Sequence, residues 1–485
     1  MNVATPIAAV DPVQRMDAVL QRQKAANIAQ GAPGAEVRIA RLDRCIGLLI
    51  KYEAQIVAAL NADFGNRAAE VSGVTDIAGS IGPLKHARAH LKAWMKPEKR
   101  STTPSLLALL GAKAEVRFQP KGVVGIISPW NFPVNLTFAP LAGVLAAGNR
   151  AMIKPSEYTP ATSELMAAMF ADAFSEDEIA VFAGGPEVGQ AFSGLAFDHL
   201  VFTGATAIAR HVMKAAAANL TPLTLELGGK SPVILGRSAD YATAAGRVMA
   251  GKTMNAGQIC LAPDYVLAPR EQLGAFVKEA TAAVTAMFPT IKDNPDYTAV
   301  IAERHFERIK GYVDDARAKG AEIVEINPAG EDFSQQEHRK IPPTLILNAT
   351  DDMHVMQEEI FGPVLPVVTY GGVDEAIAYV NAHDRPLGLY YFGTDAAEEA
   401  QVLSRTTSGG VTVNDVIFHV AMEDLPFGGI GPSGMGSYHG IDGFREFSHR
   451  KSIYRQLKND LGPMKALRPP YGEGVRKYIA SALKP

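Results

Sequence analysis

Cysteine is scarce: the 485-residue chain has two, Cys45 and Cys260, too few for a disulfide framework. Basic surplus is missing as well. Lys plus Arg number 47 against 51 Asp plus Glu, for a net charge of −4, so no charge argument favours nucleic acid or an anionic membrane. No apolar run approaches the ~20 residues needed to span a bilayer. The opening "MNVATPIAAVDPVQ" has neither the basic nor the apolar region of a secretory leader, and "RKYIASALKP" near the end is too short and too charged to anchor. Internal repeats and low-complexity linkers are absent too. Together these absences imply a cytoplasmic globular protein with no membrane anchor and room for two or three domains.

What is present changes texture along the chain. Residues 13–100 read mainly as helix, as in "VRIARLDRCIGLLIKYEAQIVAALNADF", where apolar residues recur every three or four positions. Cys45 falls on the apolar side of that helix, beside Ile46 and Leu49, and reads as a buried core thiol. His86 and His90 are spaced for a metal on one helix face, but nothing supplies a third ligand, so a solvent-facing helix is expected. Residues 101–121 break the helical pattern and read as an extended arm. Short apolar runs ending at Gly, Pro or Ser then alternate with Ala-rich helical lengths: "GVVGIIS", "AMIKP", "IAVFAGG", "DHLVFTG" and "LTLELGG". Such alternation predicts an α/β fold with a doubly wound parallel sheet, which binds ligands at the carboxyl ends of its strands. A second set follows Cys260: "YVLAP", "EIVEI", "TLILNAT", "PVLPVVTY", "LGLYYFG" and "GGVTVND". The Gly-rich stretch 423–440 is expected to be loop near a site.

Several residues are chemical candidates. Cys260, in "NAGQICLAPDYV", sits among small and polar residues; it is either a nucleophile, which needs thiolate character, or a bland buried thiol. Glu226, in "LELGGK", ends an apolar run, where burial raises a carboxyl toward the range of a base; a surface or helix-capping carboxylate is the alternative. Asn131, in "SPWNFP", offers either an amide donor for an oxyanion or a simple Asn turn. Lys154 and Glu157, in "KPSE", suit sugar hydroxyls or a solvated loop pair. "FTGATAIA" is strand, glycine, helix, but lacks the second glycine of a dinucleotide fingerprint.

The segments "PWNFP", "KPSE", "FTG", "LELGGK", "GQIC", "EEIFGP" and "PFGG" occur in an order and spacing that resembles the NAD(P)-dependent aldehyde dehydrogenase superfamily over nearly the whole chain. "CLAPDYV" and "GPSGMGSYHG…FREFSH" look most like its class 3 branch. Within that branch, "MQEEIFGPVLPV", "TSGGVTVNDVIFHV" and "EDLPFGG" look similar to bacterial enzymes of coniferyl aldehyde. The resemblance implies Cys260 as nucleophile, Glu226 as general base, and Asn131 with the Cys260 N–H as oxyanion hole. It implies that Lys154 and Glu157 hold the adenosine ribose, that Gly204 and Thr206 lie at the cofactor turn, and that Glu359 holds the nicotinamide ribose, with Phe361 and Trp130 also at the cofactor. Phe132, Ile259, Leu261 and Phe427 match tunnel-lining positions, an apolar and partly aromatic set. One departure is Ala209, where many relatives carry Gly.

The fold so implied has a Rossmann-like cofactor domain (1–100 and 122–229), an α/β catalytic domain with the thiol (230–436), a small β oligomerisation arm (101–121 and 437–455) and a C-terminal tail (456–485). The activity so implied is oxidation of an aldehyde to its acid through a Cys260 thioester. NAD is the expected cofactor, with NADP weaker, because Glu157 near the ribose repels a 2′-phosphate. Coniferyl aldehyde or another aromatic aldehyde is the expected substrate, with a medium or long aliphatic aldehyde as the alternative. A CoA-acylating enzyme, which needs no base at Glu226, and a non-catalytic NAD-binding relative are the rivals. The exposed apolar arm implies a homodimer.

Overall fold

The protein is described by a computed structural model that covers residues 12–103, 105–460, 464–465 and 467–484. Two compact units divide it, one running to Trp94 and resuming over Pro120–Ser448, the other formed by Met95–Gln119 and the residues from His449 onward.

The larger unit opens with helices, among them Pro12–Gln30, Ala35–Lys51, Glu53–Phe64 and Gly79–Trp94. Cys45 lies on the inner stripe of the second with Leu42, Ile46 and Leu49, and is fully buried. The expected solvent-facing helix around His86 is corrected: His90 is exposed, but His86 is only half-exposed, and its Nε2 is buried without a hydrogen-bond partner. No single helix among the described residues is long and apolar enough to cross a membrane.

Two sheets make the unit α/β. The first has six strands in the order Gly434–Met435, Leu223–Glu226, His199–Thr203, Val123–Ile127, Arg150–Lys154 and Ile179–Val181. Its five strands from one to the other edge are parallel, and Gly434–Met435 adds an antiparallel edge. Its strands are apolar on both faces because helices cover both. The chain winds outward from Val123–Ile127 in one direction and from His199–Thr203 in the other. The crevice at their carboxyl ends is therefore a switch point, the natural seat of a ligand in an open parallel sheet. Gly434–Met435, which lies in the stretch expected to belong with the thiol, hydrogen-bonds instead to the strand of Glu226.

The second sheet has seven strands, in the order Glu322–Glu325, Thr344–Leu347, Val364–Tyr370, Tyr265–Pro269, Pro232–Leu235, Gly388–Phe392 and Gly410–Val413. All neighbours are parallel except the first pair. Pro232–Leu235, a four-residue strand, was not separable by sequence from the "LELGGK" run before it.

In the smaller unit Glu98–Arg100, Lys113–Pro120 and Ser448–Arg455 form a three-stranded sheet. The arm expected over 101–121 is not continuously extended: Leu106–Leu109 forms a helical turn, in keeping with the high helix propensity of Leu and Ala. The expected arm segment 437–455 also divides, because Gly440–Glu446 is a helix of the larger unit and strand begins at Ser448. Leu106, Leu109 and Leu110 are exposed. The expected tail carries a helix, Glu473–Ala482, with no buried residue.

Candidate active site

The carboxyl ends of the first sheet carry most of the candidates. Val123–Ile127 runs into Trp130 and Asn131, Arg150–Lys154 ends at Lys154, His199–Thr203 is followed by Gly204 and Thr206, and Leu223–Glu226 ends at Glu226. The thiol side is arranged the other way. Cys260 precedes the strand Tyr265–Pro269, and Glu359 and Phe361 precede Val364–Tyr370. The second sheet thus contributes its amino ends, which the carboxyl-end rule did not anticipate.

Cys260 and Glu226 lie close enough for each to shift the other's ionisation. Glu226 is 1% exposed, and its Oε1 has no partner. Burial pushes its carboxyl up to about 8, against the opposing pull of the nearby Cys260 thiol. Burial first, and then the charges of Glu226 and Glu359, raise the Cys260 thiol above its ordinary value. In this resting arrangement both groups hold their protons at neutral pH.

The loop before Cys260 is forced into shape. Asn255, Ala256 and Gly257 have φ of 50°, 53° and 72°, three left-handed residues in succession. Gly257 admits no side chain, since a Cβ there would lie 2.3 Å from the Gly362 carbonyl oxygen. The Gln258 side chain fixes the turn. Its Nε2 donates to the Asn255 and Ala299 carbonyls at 2.9 and 3.1 Å, and its Oε1 accepts from the Ile301 N–H at 3.0 Å.

Asn131 faces this loop, its Nδ2 donating to the Gln258 carbonyl at 3.2 Å. Its own carbonyl accepts from Arg67 Nη1 at 3.0 Å and Asn255 Nδ2 at 3.2 Å. Arg67 is held in turn by Asp76 at 2.6 Å, both side chains fully buried, and Asp76 also accepts the Val134 and Asn135 N–H groups. Arg67 and Asp76 were missed by sequence reasoning. They lie some sixty residues before the loop they hold, and nothing in their local sequence marks them. Gln258 stood inside a recognised motif but had no assigned part.

Lys154 and Glu157 form an ion pair at 2.8 Å, the lysine buried and the carboxylate half-buried. Burial opposes ionisation of Glu157, but the Lys154 bond outweighs it and holds the carboxyl below its ordinary value. Thr206 opens the helix Thr206–Ala217, whose first turn has no side-chain cap, and its hydroxyl donates to the Pro432 carbonyl at 3.1 Å. Ala209, the departure from Gly, is buried and packs in the core of the first sheet.

Glu359 rests against the backbone of Gly228, where a Cβ would lie 2.2 Å from its Oε2. Burial, and then Asp264, push its carboxyl up to about 8. Asp264 also accepts the Ile360 N–H at 3.0 Å and pairs with Lys230, so it fixes the turn that presents Glu359; like Gln258 it stood inside a quoted motif with no assigned part. Trp130 meets Phe361 edge-on, with ring centres 5.3 Å apart, and Phe361 has a left-handed φ of 48°.

The four expected tunnel residues are buried: Phe132, Ile259, Leu261 and Phe427. Phe132 lies against Arg67, Ile259 and Leu261 flank the thiol in sequence, and Phe427 packs on Tyr438 and His439. Among the described residues no group of His, Cys, Asp and Glu has the arrangement of a metal site.

This set of groups suits a dinucleotide. A lysine–carboxylate pair at one strand end matches a ribose diol, an uncapped helix start matches a phosphate, and a carboxylate cradled on a glycine matches a second ribose.

Comparison with known proteins agrees. Residues 4–453 match the model of the aldehyde dehydrogenase family. The chain is 75% identical over 469 residues to a probable coniferyl aldehyde dehydrogenase of Caulobacter vibrioides, covering 97% of each chain. It is 54% identical to a coniferyl aldehyde dehydrogenase of a Pseudomonas species, over 97% of this chain and 96% of the relative. Among solved structures, a Staphylococcus aureus AldH in a substrate-bound state superposes with a TM-score of 0.89 at 35% identity, covering 97% of this chain and 99% of that one. A Mycobacterium tuberculosis aldehyde dehydrogenase complexed with NAD+ gives 0.83 at 29% identity, with 94% and 92% covered.

Proposed function

We infer that this chain, which belongs to the aldehyde dehydrogenase family, oxidises coniferyl aldehyde or a closely related aromatic aldehyde to its acid with NAD. The observation that carries the chemistry is the buried Glu226 carboxyl beside the Cys260 thiol, with the Asn131 amide donating to the loop that holds the thiol. The names of the close relatives and the aromatic surroundings of Phe132 and Phe427 support the substrate.

Each group then has a task. Glu226, once it has lost its own proton to solvent, takes the thiol proton, and Cys260 Sγ bonds to the aldehyde carbon. The oxygen that gains charge receives the Asn131 Nδ2–H and the Cys260 N–H, for which the amide turns away from the Gln258 carbonyl. Lys154 and Glu157 would hold one ribose of NAD and Glu359 the other, and NAD, when bound, supplies the acceptor for the hydride lost from the substrate carbon. An acyl thioester then remains on Cys260. Glu226, after losing its proton to solvent, takes one from a water; the oxygen of that water bonds to the acyl carbon, and Cys260 leaves as thiolate. A residue meant only to pass the acyl group to another thiol would not need this base, so hydrolysis is favoured over acyl transfer to CoA.

The same reading includes preference for NAD over NADP, a cytoplasmic location consistent with two free thiols, and a homodimer that covers Leu106, Leu109 and Leu110. NADH formation with coniferyl aldehyde, benzaldehyde, hexanal and decanal tests the substrate. Coniferyl aldehyde should give a kcat/KM roughly tenfold or more above either alkanal; parity or reversal would transfer the assignment to aliphatic aldehydes. Added CoA should leave the rate unchanged.

A further inference from the structure

Residues 412–440 gather polar side chains that the chemistry above does not use. Phe427 and Tyr438 pair through reciprocal backbone hydrogen bonds of 2.9 and 2.8 Å. His439 stacks on Phe427, with ring centres 5.2 Å apart and planes at 24°, and Tyr438 stands edge-on to both. His419 lies on the other side, 6.5 Å from Phe427 and 6.3 Å from Tyr390. This patch adjoins the thiol. Tyr390 donates to the carbonyl of Leu261 at 2.6 Å, and both Tyr390 and Tyr438 are close enough to feel the charge of Cys260.

Within this aromatic frame, buried polar atoms have no partner: His439 Nδ1, His419 Nε2 and Glu423 Oε2, with His86 Nε2 beside them. They share one neighbourhood. His439 feels His419 and His86, and a Cβ on Gly440 would lie 2.4 Å from the Glu423 carbonyl oxygen and 3.5 Å from His86 Nε2. His439 is 8% exposed and holds φ at +108°, an unfavourable backbone for a residue with a Cβ. Burial keeps His419 and His439 near 4, so both rings are neutral, and each unpartnered nitrogen is an N–H or a lone pair according to the tautomer. Unsatisfied buried polar groups are costly unless something brings them a hydrogen-bond partner. A metal does not fit, as no metal-ligating group occurs among the described residues. A phenol matches the chemistry, since its hydroxyl both donates and accepts and its ring is compatible with the aromatic faces of Phe427, Tyr438 and His439.

We propose that His439, His419 and Glu423 form the polar end of the aldehyde site and receive the ring hydroxyl of a phenolic aldehyde. The proposal rests on the aldehyde reading and narrows it to 4-hydroxylated aromatic substrates. His439 and Glu423 are thereby specificity-determining residues, without a part in bond making.

The test compares 4-hydroxy-3-methoxycinnamaldehyde with cinnamaldehyde, which lacks the ring substituents, and with 3,4-dimethoxycinnamaldehyde, which keeps bulk but loses the donor. The wild-type kcat/KM should favour the phenol over both. His439→Phe and Glu423→Gln should each lower the phenol-to-dimethoxy ratio roughly tenfold, mainly through KM, because the contact is the same in ground and transition states. A merely structural defect would lower kcat for all three and leave the ratio unchanged. Calorimetric titration of ferulate and cinnamate in the absence of NAD separates this proposal from the aldehyde reading. Ferulate should bind more tightly to the wild type, and His439→Gln should remove the difference. Equal binding of the two acids by the wild type, or phenol-to-dimethoxy ratios unchanged in both variants, overturns the phenol site whatever the turnover. A ferulate preference without aldehyde turnover would support the phenol site and defeat the dehydrogenase reading alone.

Discussion

Glu226→Gln should stabilise the protein at alkaline pH while it disables turnover. The folded state holds the Glu226 carboxyl at about 8 against an ordinary value of 4.5, chiefly through burial. Between those values the folded protein keeps a proton that the unfolded chain has released. Raising the pH across that window therefore costs the wild type stability, and the loss levels off above the folded value. At about 1.4 kcal/mol per pH unit, the cost is about 2 kcal/mol near pH 6 and approaches about 5 kcal/mol near pH 9. Glutamine has no such slope. At about 2.1 cal/mol/K per residue, the unfolding entropy of this chain is about 1 kcal/mol/K. The melting temperature of the variant should accordingly gain on the wild type by about 3 °C between pH 6 and pH 9. Scanning calorimetry at the two pH values measures this, repeated in a Cys260→Ala background to remove titration of the thiol. Steady-state NADH formation by Glu226→Gln should fall roughly 10²-fold or more. A gap in melting temperature that stays constant or narrows as pH rises would refute the placement of a destabilised charge at Glu226.

Iodoacetamide should inactivate the enzyme by labelling Cys260 and leave Cys45 unmodified, since Cys45 is fully buried; peptide mapping reads this directly. Gly228→Ala should displace Glu359, whose Oε2 would lie 2.2 Å from the new Cβ, and raise the Kd for NAD roughly tenfold or more by calorimetry. Glu157→Gln should reduce the ratio of kcat/KM for NAD over NADP by roughly tenfold, because the repulsion of a 2′-phosphate is lost; an unchanged ratio would remove Glu157 from cofactor choice.

The five parallel strands of the first sheet were legible because each is an apolar run closed by Gly, Pro or Ser. Pro232–Leu235 was not, because four residues next to another run carry no period of their own. Gly434–Met435 was hidden for a different reason: it pairs through backbone in a Gly-rich stretch, and backbone pairing leaves no side-chain pattern. At the site, Cys260, Glu226 and Asn131 could be picked out by residue type and position beside turns. Arg67, Asp76 and Asp264 could not, since each acts on a segment far away in the chain, through hydrogen bonds that only the fold brings about. The amino-end placement of Cys260 was likewise beyond sequence, because it depends on how one sheet is turned toward the other.

The pairing of Gly434 with Glu226 has a consequence for synthesis of the chain. The strand that carries the base emerges from the ribosome roughly 200 residues before the strand that covers its edge. At about 5–20 residues per second, the first sheet waits roughly 10–40 s with its Leu223–Glu226 edge open. An open parallel sheet edge is a template for other chains. Nascent chains stalled before residue 434 should therefore recruit chaperones or aggregate, whereas slow codons placed after that point should be tolerated.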